Sequence, residues 1–554
     1  MLTFKWSQLL LSLSVILVLP QVTFGGEGIS LPPRLKNFLI ERNLYNEQDL
    51  NLVPQITLTR WLQSYDQAKL RDQRYLAMYK DCFGASVSGG TEPGPECRAL
   101  SSLTTTVSAL PEFRIQAKNW VSDSTPVNYQ NYFVENARDF ILDPQFRCRR
   151  PSLYHFFHWY FDKFEGASHN CERPKKVLVS AVVDSKLVIG YEELPIDRLY
   201  QIHYLFASAG TASFSKYGHA MLRLVFCSPH RKEMGPQCLE DLPFHRVVSF
   251  RASVIDPEID PVAGMDGRYP SILFVMPMIS VLKEYNGAGE FRDLVSVPLK
   301  LNKTLMGNLV ETIFENHLSY QGKYFFLSNN CATETLRILQ QTLFMYRRIL
   351  GLDVVRPDSL YDQLIKVGLG QGVDLEDFED EADVRKTHIQ TGLFYASEKP
   401  MLEKQWEGIS NLNLFSSDWS IEDYWQADFE FKKSRFTSDD FKKLPPAKQR
   451  SVLHRAISLE AANIESLELS IMKTAQKKLA GSADYLARQE ESRTLRLALT
   501  SPQNFDKVES KELTRLAAQE FAMIERMIGD SPEQIKKDQA TELQSWLQNL
   551  LKRP

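Results

Sequence analysis

Apolar residues concentrate in five strand-like runs, Lys176 to Val183, Tyr200 to Ala207, Gly218 to Cys227, Arg246 to Ile255 and Leu294 to Leu299, and the third has the two-residue period of a strand. Within the third run His219, Met221, Arg223 and Val225 fall on one face, and Ala220, Leu222, Leu224 and Phe226 on the other. Helix-like segments lie between the runs, so residues 174–372 read as an α+β domain. The most informative of these segments follows the aromatic and polar stretch from Ser319 to Asn330. Ala332, Leu336, Leu339 and Leu343 recur at helical spacing, and Asn329 and Asn330 suit the N-cap. Cys331 therefore occupies the first helical turn. Unpaired N–H groups and the helix dipole favour a thiolate there, although Glu334 one turn on opposes it.

The flanking regions follow other patterns. Leu31 to Arg42 and Leu58 to Tyr79 are helix-like, which makes residues 26–173 a mainly helical region. The aromatic density from Tyr154 to Phe164 fits a substrate wall or a core, and core is the commoner use. Asp256 to Tyr285, rich in Pro, Gly and Met, reads as a loop covering a cleft. Residues 373–444 open with an acidic run and read as a connecting segment, in which Gly392 to Tyr395 has the look of a short strand leading back to the core. From Pro445 onward Ile457, Ile464 and Ile471 recur every seven residues, with Leu453 and Leu467 between them. Glu460 interrupts that second row, so residues 445–554 are expected to form a helical bundle or hairpin rather than a long coiled coil.

A chain of 554 residues exceeds what one core organises. The net charge of −4, with no basic run interleaved with aromatics, argues against a nucleic-acid partner. Lys5, the apolar run Leu9 to Leu19 and the small residues Thr23 and Gly25 resemble a secretory signal peptide over residues 1–25. No later stretch has the length and apolarity of a membrane helix, so the expected location is periplasmic or secreted, in an oxidising space. Seven cysteines follow. Six fall into sequence-local couples, Cys82 with Cys97, Cys148 with Cys171 and Cys227 with Cys238, a pairing that spacing suggests without fixing. Cys331 is then left over. No metal and no cofactor are expected: no cysteine spacing matches a structural zinc site, and the glycine-dense GLGQGVD lacks the Lys-Ser/Thr pair of a phosphate cradle.

A thiol nucleophile needs a base, usually histidine. Among ten histidines the best placed is His219, where a polar segment ends at Gly218 and a strand begins; His203, His245 and His317 are its rivals. The order of YLFASAGTASFSKYGHAMLRL, HRVVSFRASVID, YFFLSNNCATETLRIL and VVRPDSLYDQL resembles the Lnb-type N-terminal periplasmic domain, through the pairs Gly218-His219, Asn330-Cys331 and Arg356-Pro357. Cys148-Arg149-Arg150-Pro151 is similar to a feature that precedes the catalytic part of such proteins. The pattern also resembles permuted papain-like thiol enzymes of the NlpC and lecithin retinol acyltransferase-like type, in which histidine precedes cysteine. The likeness covers roughly Leu199 to Gly368.

That resemblance implies a permuted papain-like catalytic domain with Cys331 as nucleophile and His219 as general base. An acyl group passes through a thioester, backbone N–H groups at the helix start and the Asn330 amide meet the oxyanion, and a residue of the neighbouring strand, Ser249, Arg251 or Ser253, orients the imidazole. The implied partners are an envelope lipid, a lipoprotein or a peptidoglycan peptide, reached through peripheral membrane contact. Acyl transfer and amide hydrolysis both fit. The alternative is a catalytically silent envelope binding module that keeps the same shell and uses its aromatic and helical flanks to hold a partner.

Overall fold

The computed structural model describes residues 107–117, 128–160, 176–183, 186–210, 218–252, 261–371 apart from 288 and 321, 391–480 and 532–552, with a few isolated positions. The expected signal peptide, the helix-like patches before residue 80, Ser253, and Cys82, Cys97 and Cys171 lie outside the described residues.

The centre of the molecule is a mixed sheet in an α+β arrangement. Its strands are β1 (Lys176–Val183), β2 (Lys186–Glu193), β3 (Leu199–Ala207), β4 (His219–Phe226), β5 (Arg246–Ala252), β6 (Tyr269–Pro277), β7 (Leu294–Pro298), β8 (Lys323–Tyr324) and β9 (Phe394–Tyr395). They run in the order β2-β1-β6-β5-β4-β3-β7-β9, with β8 paired to β6. All pairs are antiparallel except β1 with β6. β9 is the short strand expected near Gly392, and it closes the sheet edge on β7. The expected loop over a cleft is not a loop where it is described: Pro261–Asp266 is helical, β6 follows, and Met278–Tyr285 is a second helix. The prolines of β6 sit at positions 270 and 277, near its ends, and Tyr269, Ser271, Leu273 and Val275 alternate inward between them.

Helices cover one face. α1 (Pro111–Ala117), α2 (Tyr129–Leu142) and α3 (Pro151–Tyr160) form an N-terminal layer, and α4 (Lys303–Ser319), α5 (Cys331–Thr342) and α6 (Pro357–Lys366) pack directly on the strands. Leu222, Leu224, Val248 and Phe250 of the sheet share one continuous core with Leu309, Ile313, Leu336 and Leu339 of these helices. The aromatic stretch in α3 is core: Phe156 and Phe157 are fully buried, and Phe156 meets Phe344 at 5.7 Å between ring centres. The Gln116 amide donates to Gln341 O at 2.9 Å and the Gln341 amide to Ile115 O at 3.2 Å, joining α1 to α5.

A helical unit follows β9: α7 (Lys399–Ser410), α8 (Ile421–Gln426), α9 (Phe429–Arg435), the long α10 (Pro446–Ala480) and α11 (Pro532–Leu551). α10 and α11 pack on each other, and Leu453 and Leu459 share a core with Leu543 and Leu547. Glu460 explains its own break in the apolar row: it is fully buried and takes the Lys432 ammonium at 3.0 Å and the Asn463 amide at 3.2 Å.

Candidate functional site

Asn330 creates the start of α5. Its side-chain oxygen accepts from Ala332 N at 3.0 Å and Thr333 N at 3.4 Å, while Thr333 Oγ1 accepts from Asn330 N at 2.7 Å, a reciprocal capping box. The Asn330 amide also donates to Phe326 O (3.1 Å) and Val355 O (2.8 Å). It thus fastens the helix to the segment that leads into Pro357, the first residue of α6. Tyr204 Oη closes the same corner by donating to Pro357 O at 2.7 Å. All polar groups of Asn330 are therefore engaged in structure, and the oxyanion role expected of its amide has no free donor in this arrangement.

Cys331 is buried and is the free thiol among the described cysteines. Cys227 and Cys238 are bonded to each other at 2.05 Å, and Cys148 is also in a disulfide. Burial pushes the Cys331 thiol up, against hydrogen bonds from the Ala220 backbone, the Tyr324 hydroxyl and the Ala332 backbone that favour the thiolate. The resting group is a protonated thiol. Tyr324 Oη additionally accepts from Cys331 N at 3.2 Å, so one hydroxyl bridges the amide and sulfur of the same residue. Sequence reasoning passed over Tyr324, which it took only as part of an aromatic strand. Its place in the aromatic run shortly before the cysteine was the available signal.

Glu334 is fully buried one turn on. It is held by Tyr320 Oη, by Asn329 Nδ2 at 2.6 Å and by Arg337 at 3.2 Å, and burial raises its carboxyl above the usual range. Its charge is answered locally by Arg337, which moderates the opposition to a thiolate expected from its position.

Gly218 has φ +85, and a Cβ there would lie 2.5 Å from Ala207 O. Only glycine turns the chain so tightly into β4, which accounts for the residue before His219. The imidazole is half-buried. Its Nε2 lies 2.7 Å from Ser249 Oγ and its ring stacks on Tyr285 at 5.9 Å. Arg251 donates to the same Ser249 oxygen at 3.4 Å and is paired with Glu284 at 2.9 and 3.0 Å. Arg292, paired with Glu290, lies over the Tyr285 ring at 5.0 Å from its centre. Burial, then the Arg251 and Arg292 charges, hold His219 well below the usual histidine range, so it is a neutral imidazole.

Ser249 and Arg251 thus stand with His219. Cys331 does not stand with them. Ala220 faces the helix-covered core that contains Cys331, whereas His219 shares the opposite face with Ser249 and Tyr285. No hydrogen bond joins Cys331 to His219 among the described residues; the two are linked through the β4 backbone, since the amide that reaches the sulfur belongs to the residue after the histidine. The rival histidines have other employment. His203 bonds Ser296 and Gln201, His245 bonds Arg223 and Cys238 O, and His317 bonds Leu273 O, all of them buried. Among the described residues no group of three or more His, Cys, Asp or Glu is arranged to hold a metal, and no helix is long and apolar enough to cross a membrane.

Fold and site together define an α+β domain in which a buried, capped cysteine at a helix start meets the backbone of a central strand that opens with histidine. Residues 191–353 match the model of the Lnb N-terminal periplasmic domain family, from the end of β2 through α5. The resemblance read from the Gly-His and Asn-Cys pairs is to that family, and a periplasmic setting accords with it. Pro357 lies just beyond the matched segment. No curated protein and no solved structure matches the chain.

Proposed function

We propose that the Lnb-type segment is a thiol-dependent acyl-transfer site with a permuted papain-like arrangement, Cys331 its nucleophile and His219 its base. The observation that carries this reading is the convergence of the Ala220 amide and the Tyr324 hydroxyl on the Cys331 sulfur at a capped helix start. The protonation states are those of a resting general-base pair: a thiol that still has its proton and a neutral imidazole that can accept one. The sulfur attacks the acyl carbonyl, its proton passes by way of His219 to the departing amine or alcohol, and a water or a second amine then releases the acyl group from the thioester. Tyr324, held well above the usual tyrosine range by burial, keeps its proton and is the donor placed to meet the oxyanion. Direct transfer requires the imidazole to leave Ser249 and turn about the strand start. The chemistry suits an acyl group borne by an envelope lipid, a lipoprotein or a wall peptide, outside the cytoplasm.

The separation of thiol and imidazole by β4 favours a second reading, a binding module with the same shell and no turnover. Alkylation of the native protein across pH, without reductant and with peptide mapping, separates the two. The enzyme reading expects Cys331 to be labelled, slowly near neutral pH because its thiol is held up, and more slowly still in His219→Ala. Labelling at an unchanged rate in that variant removes His219 from the mechanism, and a Cys331 inert at every pH leaves the binding module.

A further inference from the structure

We propose that a cleft between the sheet and the helical unit, remote in sequence from Cys331, is a binding site for an organic ammonium group. Its volume is about 330 Å³, within the size range of small-ligand sites. Trp406, Trp419, Trp425 and Phe291 line it, with Glu407 and Glu422 among the polar positions. Phe291 comes from the turn before β7 and packs against the core of the helical unit, and the tryptophans come from α7, α8 and their connection.

Three features define what it would hold. The indole N–H groups of Trp406 and Trp425 are spent on Trp419 O at 2.8 Å and Leu459 O at 3.0 Å, and with Trp406 buried against Phe415 and Tyr424 the ring surface comes from the partly exposed Trp419, Trp425 and Phe291. Phe291 has φ 52, a conformation that a bulky L-residue rarely adopts, and its ring lies nearly parallel to that of Trp425 at 6.4 Å. The third feature is charge. Lys399 is matched with Glu403 at 3.9 Å, whereas Glu407 and Glu422 are exposed and have no salt-bridge partner among the described residues. A cleft with aromatic faces, spent indole donors and two uncompensated carboxylates is complementary to a cation that has an apolar surface. That is the chemistry of an alkylated ammonium, which gains from ring quadrupoles and carboxylates together. An anion is opposed by the charge.

An ammonium group could reach the cleft on a soluble molecule or on a lipid headgroup, and the probe is the same for both. Choline is titrated into the full-length protein by calorimetry, beside its uncharged isostere 3,3-dimethylbutan-1-ol, and the titration is repeated on the double variant Glu407→Gln, Glu422→Gln. Both residues are exposed, so the variant is expected to fold normally. The expected result is saturable choline binding, weaker by about tenfold for the isostere and by about tenfold for the variant. Sedimentation with phosphatidylcholine vesicles that free choline reverses assigns the group to a headgroup, and choline binding without sedimentation assigns it to a soluble ligand. No saturable choline binding, equal binding of the isostere, or an unchanged variant overturns the proposal.

Discussion

The two faces of β4 differ as sharply as any two regions of the molecule. On one, Ala220, Leu222, Leu224 and Phe226 are dry and apolar, and Cys331 is sealed against them. The other is mixed: Met221 and Val225 join small apolar clusters, while His219 and Arg223 sit among polar groups with His245, Ser249, Ser296 and Arg251. Arg223 is completely buried and gives its donors to His245, Ser296, Gly392 O and Leu239 O, with the Tyr395 ring 5.5 Å away. A buried guanidinium bonded to neutral acceptors is costly, and burial lowers its pKa accordingly. The comparison teaches that the apolar face supplies rigidity around the thiol, while the polar face holds the titrating groups that any proton transfer would draw on.

The largest effect is expected from the polar face. Arg223→Ala leaves several buried acceptors without a donor and opens a cavity, and should cost about 4–5 kcal/mol in urea unfolding. Leu222→Ala on the apolar face should cost about 3 kcal/mol, as a cavity alone. If the two costs prove equal, the hydrogen bonds of Arg223 contribute little and the contrast between the faces weakens.

The faces should also differ in pH response. His245 is pushed down to about 3 by burial and the Arg223 charge. Unfolding returns it to 6.5, so below that pH the unfolded state takes up a proton that the folded state refuses. Stability is full above pH 6.5 and falls as the pH drops toward about 3, by up to about 1.4 kcal/mol per unit for this histidine. Melting temperatures across that window check it, and a flat profile would contradict the neutral polar layer. Ser249→Ala should cost only about 1 kcal/mol, yet by freeing Nε2 it should move the His219 titration measured by NMR. Lys399→Ala, which removes an exposed pair, should change stability by less than about 0.5 kcal/mol.

Much of this was legible in the sequence. The strands beginning at 176, 200, 218, 246 and 294 were visible as short apolar runs, the one at 218 also through its alternation, and Cys331 at a helix start followed from Asn330 and the apolar stripe. β6 was hidden by its prolines and methionines, which look like loop composition although the prolines lie near the strand's ends. The two faces of β4 were also correctly separable by alternation, but not which face would receive α5. Both sides of that strand are buried, so hydrophobicity alone carries no label for the covering helix. That is why His219 and Cys331 read as neighbours, whereas the fold sets them on opposite faces.

The most direct test of the acyl-transfer account is to incubate the native protein with a p-nitrophenyl acyl ester, quench with acid and map the acyl group by mass spectrometry. The account predicts a thioester on Cys331, absent in Cys331→Ser and strongly reduced in His219→Ala. An unmodified Cys331, or an adduct that forms equally well without His219, would contradict it.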